Sequence, residues 1–376
     1  MKNVKKITLV LTTINVPFLV KDYLENFSEF GWNDVEIIII GDKKSPEKEI
    51  RKWLEGFRDK SVIIRFISIN EQDSWMEAFP RLSGTIPYNS DNRRNVGYLM
   101  ALQHGADIII SLDDDNYPTS EDFIQSHYIV GDTVTLPTIK SSNGWFNACS
   151  LLKNDKNVEI YPRGFPYSRR FEPTVIDISE STGKIAINMG LWVNDPDVDA
   201  ITNLAVPVKV IGLDEIHESV MIDKGVSCPI DSQNTAISRT AMAAYYFVIM
   251  GGNVAGTMID RFGDIWQGYF AKKIIDAMDE RITIGKPLAD HRRNKHDILK
   301  DMQNEMWGII TTEKLVSWLS DIDIENTKSY ADAYSELINK LDTDMIKLTD
   351  SASMIRYFRT MVDAMRAWIE TYEELA

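Results

Sequence analysis

The sequence has few cysteines: only Cys149 and Cys228 occur among its 376 residues. Two thiols cannot form a disulfide framework, and neither lies in a C-x-x-C pair of the kind that binds zinc or carries out redox chemistry. We therefore interpret both as ordinary buried thiols of a protein in the reducing cytosol.

Positive charge is also scarce, because 41 Lys and Arg residues face 56 Asp and Glu residues and leave a net charge of −15. This charge argues against non-specific binding to nucleic acid or to an anionic membrane surface, although a local basic pocket can still hold an anionic ligand. No stretch approaches the ~18 consecutive apolar residues of a membrane span. The apolar run near the N-terminus, Ile7–Leu11, is too short for a signal peptide, and no cleavage site follows it. We predict a soluble, cytoplasmic protein.

Two common nucleotide-binding motifs, the Walker A loop and G-x-G-x-x-G, are missing from the sequence. Their absence disfavours a P-loop ATPase and a Rossmann-type dehydrogenase. The composition, 44% apolar and 26% charged, is that of a folded globular protein. The length predicts either two domains or one enlarged α/β domain.

Apolar runs alternate with amphipathic segments over the first part of the chain. Helical periodicity over residues 17–27, 45–57 and 90–104 separates four strand-like runs, which are Ile7–Leu11, Val35–Ile40, Val62–Ile67 and Ile108–Leu112. This alternation predicts an α/β fold with a mostly parallel central sheet flanked by helices. Sheets of this kind bind ligands at the carboxyl ends of their strands.

The rest of the chain has a different pattern. Residues 116–260 look irregular and rich in turns, whereas the last ~110 residues carry apolar side chains at helical spacing. We therefore predict an α/β catalytic unit over residues 1–260 and a helical region over residues 261–376 that completes the site. Methionine and aromatic stripes in this region are typical of a core or a subunit contact, and a homo-oligomer is compatible with them.

Three consecutive aspartates, Asp113, Asp114 and Asp115, follow the Ile108–Leu112 run directly. Adjacent carboxylates repel one another, and the end of a buried strand confines them to a small volume unless a cation lies among them. Oxygen ligands favour a hard ion such as Mg²⁺ or Mn²⁺, which leaves coordination positions open for substrate phosphates. The alternative is an acidic turn in solvent.

Residues upstream of the triplet indicate how a nucleotide diphosphate is held. Arg93 and Arg94 open the segment that leads to the Ile108–Leu112 run, and a guanidinium pair in an acidic chain suits a diphosphate. A solvated helix face with salt bridges is the alternative. Thr12 and Asp42 come at the ends of the first two runs, where they could hydrogen-bond a base or a ribose.

The segment 161–170 (YPRGFPYSRR) carries three arginines among aromatic, proline and glycine residues. Proline and glycine fix an irregular loop, and the rings shield the guanidinium groups, so the loop is suited to gripping a sugar or a phosphate. A structural cation–π loop is the alternative.

Three further segments contain candidates for sugar, phosphate or metal binding. Trp192 lies close to Asp195, and an aromatic face beside a carboxylate can hold a sugar, although a buried tryptophan beside a turn is equally compatible. Asp264 precedes a helix, either as a base or as a charge favoured by the helix dipole. In the second basic cluster, residues 291–295, His291 could complete a metal site while Arg292 contacts phosphate.

Taken in order, these elements resemble the reversibly glycosylated polypeptides, the UDP-arabinopyranose mutases of plants. The resemblance is carried by DDD at 113–115, YPRGFPYSRR at 161–170, GLWVNDPDVDA at 190–200 and DRFGDIWQGY at 260–269. The chain departs from the plant pattern at Gly263, at Arg169 and by an insertion near Ser179–Lys184. The resemblance implies a glycosyltransferase A-type fold, with residues 1–260 as the nucleotide-sugar-binding catalytic domain.

The resemblance also implies roles for particular residues. The acidic triplet 113–115 would bind a divalent ion and the nucleotide-sugar. Arg163 matches the arginine that becomes reversibly glycosylated, and Arg170 matches a second arginine needed for mutase activity. Asp264 matches an acid of the family's D-D-M-W element, and His291 is consistent with a metal ligand.

Our hypothesis is a metal-dependent mutase that interconverts pyranose and furanose forms of an arabinose-like UDP-sugar, with Mn²⁺ or Mg²⁺ as cofactor and reversible self-glycosylation. Its catalytic residues would be Arg163, Arg170, Asp195 and Asp264. Its nucleotide-sugar-binding residues would be Thr12, Asp42, Arg93, Arg94, Asp113, Asp114, Trp192 and Arg292. Its metal ligands would be Asp113, Asp115 and His291.

Two alternatives for the function and one for the mechanism remain open at this point. The chain could instead be a glycosyltransferase that uses a separate acceptor, or a non-catalytic scaffold that binds a nucleotide-sugar. A guanidinium is a poor nucleophile because its pKa lies above ~12. A nearby carboxylate, for which Asp195, Asp197 and Asp264 are the candidates, must therefore accept a proton from Arg163, or a carboxylate must itself be the nucleophile.

Overall fold

A mixed β-sheet forms the centre of the molecule in the computed structural model, which describes residues 5–57, 61–213, 218–295, 297–325 and 327–376. In the described residues this sheet has twelve strands, and a separate pair forms a small hairpin. The strands are β1 Ile7–Thr13, β2 Val35–Gly41, β3 Ile63–Ile67, β4 Ile108–Leu112, β5 Asn116–Pro118, β6 Thr133–Ser141, β7 Leu152–Asn154, β8 Ile176–Asn194, β9 Val210–Leu213, β10 Ser219–Ile222, β11 Asn234–Ser238, β12 Gly252–Val254, β13 Thr257–Ile259 and β14 Arg281–His291.

Helices cover the sheet and form the C-terminal part of the chain. They are α1 Leu19–Phe30, α2 Glu47–Leu54, α3 Ile69–Met76, α4 Pro80–Ser83, α5 Arg94–Gln103, α6 Phe123–His127, α7 Ala200–Ala205, α8 Gly263–Ala277, α9 Ile298–Asp321, α10 Tyr330–Leu348 and α11 Ala352–Leu375. Within the described ranges, no helix is long and apolar enough to cross a membrane.

The N-terminal strands form the parallel part of the sheet in the order β3-β2-β1-β4. Strands β1, β2 and β4 are almost entirely buried, because helices cover both faces, and this explains their continuous apolar sequences. The predicted α/β class and these strands are confirmed. The carboxyl ends of β1, β2 and β4 therefore lie at one edge, with Thr13, Gly41 and Leu112 at their ends.

The middle of the chain is only partly irregular, and the prediction missed a long strand there. Residues 116–260 supply β8, a 19-residue strand that pairs with β6, β11 and β14. Beyond β4 the sheet is mixed, since β11 runs antiparallel to both β4 and β8. The first half of β8, which includes Ser179–Lys184, consists largely of polar residues paired with β6, so no apolar run marks it in the sequence.

A strand also interrupts the region predicted to be helical after residue 260. Strand β14 runs parallel to β8 inside the central sheet, so the sheet crosses the boundary that we drew at residue 260. The three long helices that follow β14 agree with the prediction. The stripe on α11 faces the core, where Phe358, Met361, Met365 and Trp368 are buried. Both cysteines are buried and free, as predicted.

A buried polar network around His127 of α6 joins β8, β11 and β14. His127 Nε2 donates to Asn234 Oδ1 (3.0 Å), and Asn188 Nδ2 donates to His127 Nδ1 (2.9 Å). Thr283 Oγ1 donates to Asn188 Oδ1 (2.7 Å), and Asn188 Nδ2 also donates to the Lys286 carbonyl (3.0 Å). The network fixes β14 against β8, and β14 ends at the site described below.

We expect the His127 network to make the protein sensitive to acid. Burial lowers the pKa of His127 to about 3, so the ring is neutral in the folded chain but takes up a proton below about pH 6.5 when the chain unfolds. Between these values the histidine lowers the free energy of unfolding by about 1.4 kcal/mol for each unit that the pH falls. Urea unfolding of wild type and His127→Gln across this pH range should show that the free energy of unfolding falls more steeply with falling pH in wild type. Parallel curves of free energy against pH would contradict the prediction.

Candidate functional site

An open cavity of about 860 Å³ lies at the carboxyl ends of β1, β2 and β4. Its size and position are typical of a site for a small ligand in an α/β fold. The acidic triplet 113–115 lies on one wall, and Arg163 from the arginine loop also lines the cavity. The predicted site residues that line it are Thr12, Asp42, Arg93, Arg94, Asp113, Asp114, Asp115, Arg163, Asp264 and His291.

Two predicted site residues lie in the protein interior, away from the cavity lining. Trp192 is part of the hydrophobic core and does not present a face to a sugar. Arg170 donates to Asp199 Oδ2 (2.8 Å), and its guanidinium lies 3.8 Å from the centre of the Tyr167 ring. Arg170 therefore holds the arginine loop in shape, which is the structural alternative that we considered for this segment.

Two others lie beside the cavity lining. Asp195 pairs with Lys209 (2.7 Å), and its backbone carbonyl is bonded to the ring of His291. The guanidinium of Arg292 pairs with Asp290 (2.7 Å) and stacks on the Tyr117 ring at 4.1 Å.

The first aspartate of the triplet is paired with Arg94. Arg94 Nη2 donates to Asp113 Oδ1 at 2.5 Å and to Thr12 Oγ1 at 3.1 Å, while Nη1 donates to Ser232 Oγ at 3.0 Å. Burial opposes the charged guanidinium, but Asp113 outweighs it and raises the pKa of Arg94. Burial also raises the pKa of Asp113, although Arg94 partly offsets this. Arg94 thus neutralises one carboxylate of the triplet.

The second aspartate is held by neutral groups. Thr13 Oγ1 donates to Asp114 Oδ2 (2.6 Å), and Asn294 Nδ2 donates to Asp114 Oδ1 (3.3 Å). Burial raises the pKa of Asp114, the Thr13 hydrogen bond lowers it, and the neighbouring aspartates raise it further. A cation in the cavity would relieve this repulsion.

The third aspartate faces His291. Nε2 of His291 lies 3.7 Å from Asp115 Oδ1, and its Nδ1 is bonded to the Asp195 carbonyl at 2.6 Å. A histidine that donates one ring N–H to a carbonyl and presents the other nitrogen next to a carboxylate has the usual orientation of a metal ligand. Burial lowers the pKa of His291, but the hydrogen bond and charge of Asp115 outweigh it and raise the pKa.

The donor set fits a hard divalent ion that the substrate helps to bind. Among the described residues, no three His, Cys, Asp or Glu side chains form a group that could hold a metal by itself. Asp115 and His291 would supply two ligands, and Mg²⁺ or Mn²⁺ commonly takes the remainder from water and substrate phosphates. Asp113, the third predicted ligand, is engaged by Arg94.

The guanidinium of Arg163 is clamped between two buried carboxylates. Nε and Nη2 donate to Asp197 (3.0 and 2.9 Å), and Nη1 and Nη2 donate to Asp264 (3.1 and 2.8 Å). The fifth N–H of the group donates to the Arg261 carbonyl. Arg163 is 5% exposed, and we call these three side chains, Arg163, Asp197 and Asp264, the arginine clamp.

The clamp residues come from three distant segments of the chain. Arg163 lies in an irregular loop, Asp197 follows β8, and Asp264 lies in the first turn of α8. Burial opposes the charge on Arg163, but the two carboxylates outweigh it and raise its pKa. Burial favours the neutral form of Asp197, yet Arg163 lowers its pKa. Arg163 and Asp197 therefore stabilise each other's charged forms inside the protein.

Three further cations line the cavity. Arg93 is buried and bonds to Gln72 (2.7 Å) and Asp73 (3.4 Å), while its Nη1 has no hydrogen-bond partner among the described residues. Arg293 and Lys295 also line the cavity, and in the part of the chain that the structure describes neither has an ion-pair partner. These groups provide the local basic pocket that an acidic chain needs to hold a diphosphate.

Sequence reasoning missed several residues of the cavity. Asp197 was named as one of three candidate proton acceptors, but its ion pair with Arg163 depends on a long-range contact that no local pattern shows. Asn294 binds the triplet through its amide and its backbone N–H. Asp91 lines the cavity beside Arg93 and Arg94, and an acid next to a basic pair was the available signal.

Comparison with known proteins gives the family. The chain matches the family described as "Reversibly glycosylated polypeptide" over residues 3–376, and it belongs to that family. It is 25% identical to "Probable UDP-arabinopyranose mutase 4" of Arabidopsis thaliana over 292 residues, 77% of this chain and 73% of that protein. It is 31% identical to "UDP-arabinopyranose mutase 3" of the same plant over 219 residues, 57% of this chain and 54%, about half, of that protein.

A pea relative and two solved structures extend the comparison. "Probable UDP-arabinopyranose mutase 1" of Pisum sativum is 25% identical over 357 residues, 94% of this chain and 88% of that protein. A crystal structure of a mycobacterial protein has a TM-score of 0.41 at 12% identity, over 85% of this chain and 76% of that one. The mannosyltransferase PcManGT of Pyrobaculum calidifontis, in complex with GDP-Man and Mn²⁺, has a TM-score of 0.37 at 9% identity, over 100% of this chain and 74% of that one.

The arginine clamp leads to a stability prediction. Arg163→Met would leave Asp197 and Asp264 buried without a counter-charge, so we expect the free energy of unfolding at pH 7 to fall by about 3–5 kcal/mol. Arg169→Met is the matched control in the same loop, because Arg169 pairs with Glu172 in a partly exposed position and should lose at most about 1 kcal/mol. Urea unfolding measures both values, and equal losses would contradict a charged clamp.

Proposed function

We propose that the chain is a nucleotide-sugar mutase that interconverts the pyranose and furanose forms of a UDP-sugar, with transient attachment of the sugar to the protein. One observation carries the proposal: the acidic triplet and Arg163 line the same cavity. The family description and the names of the plant relatives support the same activity. An arabinose-like sugar is the expected substrate.

The diphosphate end of the substrate would lie next to the triplet and the cations that line the cavity. Asp115 and His291 would hold Mn²⁺ or Mg²⁺, which would neutralise the charge that develops on the diphosphate as it leaves the anomeric carbon. Arg93, Arg293 and Lys295 would bind the remaining phosphate oxygens. Thr12 and Asp42 lie at the ends of β1 and β2, where the base or ribose would be placed.

The sugar end would face the arginine clamp. For a nitrogen of Arg163 to bond the anomeric carbon, that nitrogen must give up a proton as the bond forms. Asp197 and Asp264 already accept hydrogen bonds from its N–H groups, so the proton can move along an existing contact. The raised pKa of Arg163 opposes this transfer, so proton loss must accompany bond formation and departure of the diphosphate.

A carboxylate of the clamp is the other candidate for the attached atom. Asp264 lines the cavity, and Arg163 would then fix its orientation. An adduct on nitrogen has one chemical advantage, because a nitrogen electron pair can assist the opening of the sugar ring. We therefore assign the attachment to Arg163 and the proton acceptance to Asp197 or Asp264.

A panel of nucleotide-sugars with Mn²⁺ tests the proposed function. We expect UDP-arabinopyranose to give a furanose product without any added acceptor, measured by chromatographic separation of the ring isomers. Release of UDP only when an acceptor is present would instead indicate a glycosyltransferase. Binding of UDP-sugar without any turnover would indicate a scaffold.

The point of attachment is tested with UDP-sugar labelled in the sugar. We expect peptide mapping to find the label on Arg163, to find none in Arg163→Lys, and to find wild-type labelling in the loop control Arg169→Lys. A label retained at Asp264 in Arg163→Lys would contradict the nitrogen adduct and leave the carboxylate as the nucleophile.

The cytoplasmic location and the homo-oligomer stay predictions from the sequence, and so does the division of the chain at residue 260.

A further inference from the structure

Asp91 is a cavity residue to which the mechanism so far gives no role. It lies in the short 3₁₀ turn Asp91–Arg93 that leads into α5, and the side chain of Ser90 caps this turn by accepting from the Asn92 N–H. Asp91 lines the cavity, and its side chain is exposed to it. The turn therefore presents a carboxyl group toward the space between the triplet and the arginine clamp.

Asp91 differs from the other acids of the cavity because no described side chain or backbone group bonds to its carboxyl. Each of the other acids has a partner: Asp42 with the Ser90 N–H, Asp113 with Arg94, Asp114 with Thr13, Asp115 with Asn294, Asp197 and Asp264 with Arg163, and Asp260 with the Arg261 N–H. The Asp91 carboxyl is thus available to a ligand.

Four charged groups surround Asp91: Arg94 on α5, Asp113 after β4, Asp260 before α8 and Asp264 within α8. Enclosure by the cavity walls disfavours the charged carboxylate, Arg94 favours it, and the three aspartates disfavour it further. Together they raise the pKa of Asp91 to about 6, even though its side chain is open to the cavity. Such a group exchanges protons near neutral pH.

The ring interconversion requires such an exchange. When the bond between C1 and the ring oxygen O5 breaks, its electron pair goes to O5, which must gain a proton. When hydroxyl O4 bonds to C1 and closes the five-membered ring, O4 must lose a proton. On opening, the nitrogen electron pair of the Arg163 adduct forms a double bond to C1, and this double bond becomes single again on closure. The gain of a proton at O5 and the loss of a proton at O4 balance, so one carboxyl group can give its proton to O5 and recover one from O4.

We propose that Asp91 is the acid–base residue that protonates and deprotonates the sugar oxygens during ring opening and closure. This inference rests on the proposed function. Asp91 is well placed for it, because its carboxyl is free and lines the same cavity as the clamp that would hold C1. Departure of UDP from C1 would precede the action of Asp91. After ring closure the retained UDP would reattack C1, the bond from C1 to Arg163 would break, and the clamp carboxylate would return the proton to Arg163.

The variant Asp91→Asn separates these steps. With labelled UDP-sugar and Mn²⁺, we expect the label to attach to the protein within about threefold of the wild-type rate, while the interconversion rate falls by about 10²-fold or more. The sugar recovered from the labelled variant should still be the pyranose. In wild type the interconversion rate should fall as the pH rises above about 6, and this dependence should be absent from the variant.

Two further variants complete the experiment. Asp332→Asn is the matched control, because Asp332 is an exposed acid in the first turn of α10, outside the cavity lining, and should behave as wild type. Asp91→Glu keeps the carboxyl group and should restore at least about a tenth of the interconversion rate. This variant decides the question if Asp91→Asn does not fold, since inactivity of folded Asp91→Glu would then overturn the proposal.

The outcomes separate this inference from the proposed function. Wild type that makes no furanose would refute the proposed function itself. Wild type that makes furanose, with Asp91→Asn interconverting at the same rate, would overturn only the role of Asp91. Loss of both labelling and interconversion in folded, UDP-binding Asp91→Asn would also overturn it, because the residue would then act before ring opening.

Discussion

Burial of the Arg163 guanidinium between two carboxylates constrains the rest of the site. Taking three charges out of water is costly, and the cost is offset only because every N–H of the guanidinium has an acceptor. The cluster joins an irregular loop, the end of β8 and the start of α8, so the three segments hold one another in place. Its geometry then fixes the position of Arg163 in the cavity lining.

The distribution of charge shows how an acidic protein can offer a local site to an anion. The net charge of −15 repels extended polyanions, whereas Arg93, Arg293 and Lys295 all line the cavity. The triplet lines the same cavity, and Asn294, between Arg293 and Lys295, bonds to Asp114 and Asp115, so basic and acidic side chains lie close together there. The proposed ligand, a diphosphate with a divalent ion, would match this mixture of charges.

The sequence could predict the parallel strands because their burial on both faces leaves continuous apolar runs, and β4 was found with its exact bounds in Ile108–Leu112. Strand β8 was not predicted because its first half is polar and exposed, so its formation depends on pairing with β6. Strand β14 was not predicted because it lies among helical segments and its partner β8 is distant in the chain. In both cases the decisive contacts are non-local.

The site residues show the same contrast between what local sequence patterns reveal and what depends on distant contacts. Residues at strand ends, such as Asp113 and Thr12, could be predicted because the fold class brings strand ends together. Trp192 and Arg170 could not be placed correctly, since an aromatic or arginine side chain looks alike in a core and in a binding site. Asp197 was one of three candidate proton acceptors, and the sequence could not choose among them because its pairing with Arg163 joins two distant segments of the chain.

The most direct test of the account is a crystal structure of the protein with UDP and Mn²⁺, with data collected at the manganese absorption edge. The account predicts an anomalous peak in contact with Asp115 and His291, with the diphosphate bound to it and its terminal phosphate directed toward the arginine clamp. A manganese peak remote from both residues, or a nucleotide bound outside this cavity, would contradict the claim that the triplet and the clamp act on one substrate.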